Sequence, residues 1–210
     1  RLDIAHDLSR SGFYDEAITI LEDHKSNAKD PRELGTAPMI GYTLGYLHWK
    51  NRAPAKGEAA VLKAVQGSQY YCFPHRLEEI SVLEYAIKTV PDRAWPYLHL
   101  GNLLYDRRRY REAISLWESC SRLDPNNSIA WRNLGIASFN ILKSPEKARS
   151  AYEKAFAAAP DDARIFYERD QLWKRLRIAP KRRLRELQKD PTLVAQRDDL
   201  TIELSRLYNL

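Results

Sequence analysis

Five histidines (His6, His24, His48, His75 and His99) and two cysteines (Cys72 and Cys120) are the side chains of this 210-residue chain best suited to metal or nucleophilic chemistry. Their spacing argues against both. No two histidines stand at i, i+4, and none adjoins the carboxylate pattern of a metal site. Cys72 and His75 have ligand-like spacing, but two ligands do not make a site. Cys120 falls where the helical pattern wants a small apolar residue, so it reads as core rather than as a reactive thiol. The chain has no glycine-rich phosphate loop, no nucleophile elbow and no carboxylate dyad outside its periodic pattern. Catalysis is therefore not expected, and neither is a metal or other cofactor. Two cysteines are also too few for a disulfide framework, which makes a reducing cytoplasm the expected location.

Charge offers a second kind of chemistry. Arg107-Arg108-Arg109-Tyr110-Arg111 and Lys181-Arg182-Arg183 are basic clusters that could contact phosphates, with tyrosine and tryptophan nearby to stack on bases. Asp106, Glu112 and Glu186 interrupt them, however, and 34 basic residues against 28 acidic ones leave a net charge of only +6. Such runs usually belong to solvated turns and helix ends, so nucleic-acid binding is the weaker reading. An acidic protein partner remains compatible with the balance. No apolar run is long enough to cross a membrane, and no signal peptide is visible. The chain opens at Arg1 inside a helical pattern and stops at Leu210 inside another, as a piece of a longer protein would.

These side chains must be carried by helices, because apolar residues recur with helical period and only 8 glycines are present. Tyr97, Leu100, Gly101 and Leu104 form one stripe; Ala113, Leu116, Trp117, Cys120 and Leu123 form the next. The phrase returns 34 residues later as Trp131, Leu134, Gly135 and Ser138, followed by Ala148 and Tyr152, with one extra residue between Gly135 and Ala148. Small residues at Gly101 and Ala113 are expected where paired helices cross. Pro125 and Pro160 end the second helices, and Asp124 to Asn127 supply turn and cap chemistry. The same grammar places a hairpin at residues 2–26, another opening at Tyr42-Thr43-Leu44-Gly45 with its second helix near 56–67, and later helices at 163–176 and 181–188. In that later hairpin Arg169 and Asp170 replace Leu-Gly. Residues 193–210 read as one further, unclosed hairpin.

A period of this length, with aromatic, Leu-Gly, Ala, aromatic and Pro in order, resembles the tetratricopeptide family, strongly over 94–160 and more loosely elsewhere. The resemblance implies an all-α fold of antiparallel helix hairpins stacked in a right-handed superhelix. It implies one solenoid domain over 1–210, with the clearest repeats at 94–127 and 128–162. It also implies a non-catalytic protein-interaction scaffold whose first helices line a concave groove. Counted from the Leu-Gly pair, the groove face is Met39, Tyr42, Tyr46 and Trp49, then Trp95, Leu98, Asn102 and Tyr105. It continues with Ile129, Arg132, Ile136 and Phe139, then Arg164, Tyr167, Gln171 and Lys174. The aromatics would anchor a protein or peptide segment, and Arg132, Arg164 and Lys174 would attract acidic groups. The competing reading is that these two-sided helices are simply buried. Some family members grip a terminal carboxylate with two asparagines and three basic residues. Asn102, Asn133 and Arg164 match that pattern, but Leu98 and Glu168 do not, and Glu168 would repel a carboxylate.

Gly45 and Gly101 are 56 residues apart, too far for one repeat and too near for two. The excess holds an aromatic loop at 68–76 and a lone helix from about Arg76 to Thr89, which reads as a repeat whose first helix has shrunk to the loop. The stretch Tyr71 to Glu79, with Gln196 to Leu200, is similar to a group of bacterial proteins in which such repeats follow a β-sandwich domain akin to sugar mutarotases. That likeness implies that the loop or groove packs on an N-terminal domain of the same protein.

Overall fold

The structure, a computed structural model, describes residues 1–23 and 35–209. Every regular element among them is an α-helix: α1 (Leu2–Arg10), α2 (Tyr14–Glu22), α3 (Ala37–Lys50), α4 (Pro54–Gln66), α5 (Glu78–Thr89), α6 (Ala94–Asp106), α7 (Tyr110–Leu123), α8 (Ser128–Asn140), α9 (Pro145–Ala158), α10 (Ala163–Arg175), α11 (Pro180–Gln188), α12 (Pro191–Ala195) and α13 (Asp198–Tyr208). They fall into two compact units, Arg1–Leu123 and Asp124–Leu210. The first holds the hairpins α1/α2, α3/α4 and α6/α7 with α5 inserted. The second holds α8/α9 and α10/α11, followed by α12 and α13.

Helix starts follow the local chemistry. Asn127 Oδ1 accepts from the Ala130 amide at α8, Asp162 from Arg164 and Ile165 at α10, and Asp190 from Leu193 at α12. Proline occupies the first turn of α3, α4, α9, α11 and α12, where its missing N–H costs no helical bond. The hairpin turns share one device that the sequence does not advertise. Gly12, Arg52, Arg108, Lys143 and Arg177, one in each turn, have φ between +51° and +83°. In four of the turns an amide beyond the left-handed residue reaches back five residues. These are Phe13 to Leu8 O, Ala53 to His48 O, Arg109 to Leu104 O and Ile178 to Trp173 O, at 2.8–3.0 Å. The Lys143 turn absorbs the extra residue of its repeat, and there Ser144 N reaches Ser138 O at 2.9 Å.

The helix pairs approach closely over glycine, but a ring, not Ala113, is what fills the space above it. A Cβ on Gly101 would lie 2.5 Å from Trp117 Nε1, and one on Gly135 would lie 2.6 Å from the Tyr152 ring. Val61 holds the matching place over Gly45. In the last hairpin, Asp170 stands where the glycine belongs, and Arg183 stands at the register of Ala113 and Ala148. The crossing becomes a buried ion pair. Arg183 Nε and Nη2 donate to the two Asp170 oxygens at 2.9 and 2.6 Å, and Nη2 also donates to Glu203 Oε1 at 2.7 Å. Arg169 is equally buried, its guanidinium over Phe156, Phe166 and Trp173 and paired with Glu153 and Glu186.

The stretch read as an unclosed hairpin from residue 193 instead holds the end of the short α12 and then α13, with residue 210 outside the described residues. Leu193, Val194, Leu200 and Leu207 pack with Ala163, Phe166 and Leu187 in one core. The 68–76 loop is tied to its neighbours by one buried polar side chain, Gln69. Gln69 Nε2 donates to the Ala64 and Gly67 carbonyls, which leaves its oxygen to accept from Tyr42 at 2.8 Å and from His99 Nε2 at 3.2 Å. Burial pushes the His99 imidazole down to about 4, so it is neutral at pH 7. Glu79 Oε2 accepts from the His75 and Arg76 amides, fixing the far end of the loop.

Candidate protein-binding site

The sequence-derived stripe divides by depth. Met39, Tyr42 and Leu98 are core side chains, because α5 and the 68–76 loop close over the N-terminal halves of α3 and α6. Tyr46 and Trp49, one and two turns further along α3, stay accessible. They form an aromatic group with Tyr85 of α5: Trp49 and Tyr85 stack at 5.3 Å, and Tyr46 lies 5.8 and 6.2 Å from them. Lys50 Nζ sits over the Tyr46 and Trp49 rings. These rings wall a cleft of about 640 Å³ that also meets Glu58, Glu84 and Lys88. Trp49 is 44% exposed, a high value for the largest apolar side chain.

Trp95 is half-buried and covered by the loop's Tyr70, edge to face at 5.3 Å, with His99 on its other side. Tyr105 and Asn102 are organised by Trp117, whose indole packs 5.1 Å from Tyr105 and donates to Asn102 Oδ1 at 3.1 Å. Tyr85 and Trp117 come from helices outside the first-helix stripe, so a count along one helix face could not have included them.

In the second unit, Ile136, Phe139, Tyr167 and Gln171 line one cleft of about 310 Å³ with Tyr152, Leu172 and Arg175. Ile129 lies at the start of α8 and is half-buried. The cations expected to attract acidic groups are already engaged. Glu168 Oε1 accepts from Arg132 Nη2 at 2.6 Å and Arg164 Nε at 3.1 Å. Its Oε2 accepts from Arg132 Nε at 2.6 Å and Tyr152 OH at 3.2 Å. Lys174 pairs with Glu203 at 2.9 Å. Asn133 lies beside Arg132. The residue that broke the carboxylate-gripping pattern thus neutralises the pattern's own neighbours, and the pair spans one repeat.

Burial raises the Glu168 carboxyl, but hydrogen bonds and charge from Arg132 and Arg164 outweigh it and hold the group below its ordinary 4.5. A lowered folded-state value means its contribution is complete above about pH 4.5 and fades as pH falls through that lower value. Glu168→Gln should therefore flatten the acid limb of the stability curve. Urea midpoints at pH 7 and pH 3 should differ less in the variant than in the wild type.

The remaining sequence candidates separate. Cys72 is buried, its thiol pushed up to about 12 by burial, while His75 points to solvent, so the two do not face a common ligand. Buried His6 faces Glu79 at 3.8 Å, and His48 faces Glu22 at 3.5 Å. His24 lies outside the described residues. Among those residues, no three histidine, cysteine or carboxylate side chains gather as a metal site would need. The basic clusters are largely turn chemistry: Arg107 donates to His75 O, Arg109 pairs with Glu112, Arg108 is the left-handed turn residue, and Arg183 is buried. No described helix is long and apolar enough to cross a membrane.

Antiparallel hairpins whose second helix lays a side chain on a first-helix glycine define a helical-repeat protein. Residues 98–163 match the tetratricopeptide repeat family model, and over that stretch the chain is similar to tetratricopeptide repeats. Two curated relatives, both peroxisomal targeting signal receptors, align over 70 residues. That of Kluyveromyces lactis is 33% identical over 33% of this chain and 12% of its own length. That of Saccharomyces cerevisiae is 34% identical over 33% and 11%. The chain thus spans only about a tenth of these relatives. A thermophilic TPR protein of Thermus thermophilus superposes with a TM-score of 0.52 at 19% identity, covering 100% of this chain and 97% of its own. MamA from Desulfovibrio magneticus RS-1 gives 0.51 at 18%, covering 93% and 94%. Likeness at that identity shows the fold.

Proposed function

We propose that this chain is a non-catalytic scaffold that holds protein segments against the accessible part of its first-helix stripe. The observation that carries the reading is the Tyr46–Trp49–Tyr85 group. Three large rings are held by one another on packed helices, yet they remain open to a cleft of peptide-binding size. Rings already fixed in place lose little entropy on contact, which is why such groups anchor interfaces. The targeting-signal receptors among the relatives agree with this reading.

A nuclease-treated pull-down with wild type beside Trp49→Ala tests it. Partners should fall at least about tenfold with the variant, as loss of an aromatic anchor implies, while far-UV circular dichroism stays unchanged. Identical partner sets with both baits would sink the groove reading.

One observation favours a second reading, in which the protein docks on another domain of its own chain. Tyr70, Tyr71 and Phe73 are each more than half exposed on a loop whose two ends are pinned by Gln69 and Glu79. Under that reading, Phe73→Ser abolishes the docking and leaves groove ligands bound.

A further inference from the structure

The α8–α10 cleft carries a more specific signal than apolarity. Its floor is Ile136, Phe139 and Leu172. The carboxylate in its lining, Glu168, has both oxygens doubly occupied by Arg132, Arg164 and Tyr152. A ligand ammonium would have to displace charge-assisted bonds to reach it, so a basic segment gains nothing there. Arg175 stands differently. It lines the same cleft from the last turn of α10, its guanidinium 5.8 Å from the Phe139 ring centre, and among the described residues no carboxylate pairs with it. Arg132 and Arg164 share the Glu168 carboxylate as their ion-pair partner, so Glu168 is not available to Arg175.

We propose that this cleft takes a peptide segment in which an apolar side chain stands beside an aspartate or glutamate. The apolar group covers Ile136, Phe139 and Leu172, and the carboxylate meets Arg175. The inference rests on the scaffold reading and names its ligand. The carboxylate belongs to a side chain rather than a chain terminus, because Arg175 is a single guanidinium, in contact with the Phe139 ring and without a carboxylate partner among the described residues. The other cations and the Tyr152 hydroxyl that could bracket a terminus are committed to Glu168. Complementary charge of this kind chooses partners more than it adds bulk affinity.

Display of random internal dodecapeptides, with the full chain as bait, tests this. Wild type should enrich aspartate or glutamate next to leucine, isoleucine, phenylalanine or methionine by about tenfold, the scale of one charge-assisted bond. Arg175→Gln should keep the apolar enrichment and lose the acidic one, and Arg175→Glu should exchange it for lysine or arginine. Arg175 is exposed at a helix end, so both variants should fold, which circular dichroism checks. Apolar anchors selected without acid, or acid selected equally by Arg175→Gln, would overturn the proposal and leave the scaffold reading standing. Acid selected only in a library with free C-termini would overturn the side-chain assignment. No enrichment by any of the three baits would overturn both readings.

Discussion

Arg183→Ala is expected to cost the Asp124–Leu210 unit about 3–5 kcal/mol, the usual penalty for removing one partner of a buried ion pair. Arg183 joins Asp170 of α10 to Glu203 of α13, and all three are nearly inaccessible to water. Without it Asp170 is buried with no other cation paired to it among the described residues, and Glu203 keeps only Lys174 and the more distant Arg206. A loss of that size is a large part of a domain's whole stability, so a low-temperature urea titration followed by far-UV circular dichroism is the suitable measurement. The ordinary repeat offers its own control. Asp170→Gly with Arg183→Ala recreates the glycine and alanine of the Gly101 and Gly135 hairpins, and it should recover most of the loss, because no unpaired charge remains at the crossing. The residue of the loss belongs to Glu203. If Arg183→Ala costs under about 1 kcal/mol, the crossing is not held by charge.

The same pair shows what the sequence could and could not convey. Helical period, the Leu-Gly phrase and proline placement locate the hairpins because each is a local property, readable within one repeat. Replacement of Leu-Gly by Arg169-Asp170 was visible as weakening. Its compensation by Arg183 was not, since Lys181-Arg182-Arg183 looks like a solvated basic run until α11 is laid against α10. A charge at the alanine register, matched by an opposite charge at the glycine register, was the available signal. Arg132 and Glu168 left a similar one, opposite charges about one repeat apart on successive first helices. The accessible part of the first-helix stripe was only partly legible for a different reason. The apolar faces of α3 and α6 are continuous, so periodicity cannot say where cover ends. Burial of Met39, Tyr42 and Leu98 beside open Tyr46 and Trp49 depends on the irregular loop and α5, and no repeat pattern encodes them.

Trp117→Ala is expected to destabilise the Arg1–Leu123 unit by about 3–5 kcal/mol, as deletion of a large buried ring does. Gly101→Ala is expected to cost about 1–3 kcal/mol, although alanine is the better helix former, because its Cβ would stand 2.5 Å from the indole. The two effects should not add. In the Trp117→Ala background the obstruction is gone, and Gly101→Ala should become neutral or gain up to about 1 kcal/mol from helix propensity. A double-mutant cycle by urea unfolding measures this coupling, with circular dichroism as the probe because tryptophan fluorescence changes with the mutation itself. An equal cost of Gly101→Ala in both backgrounds would show that the ring is not what demands glycine. The cycle bears on binding too. Trp117 donates its N–H to Asn102 and packs against Tyr105, so the contact that sets the α6–α7 spacing also sets two positions of the stripe proposed to face a ligand. Trp117→Phe should keep most of the stability while releasing Asn102. Weakened partner binding by that variant, at near-wild-type unfolding midpoint, would separate what the indole does for the stripe from what it does for the core.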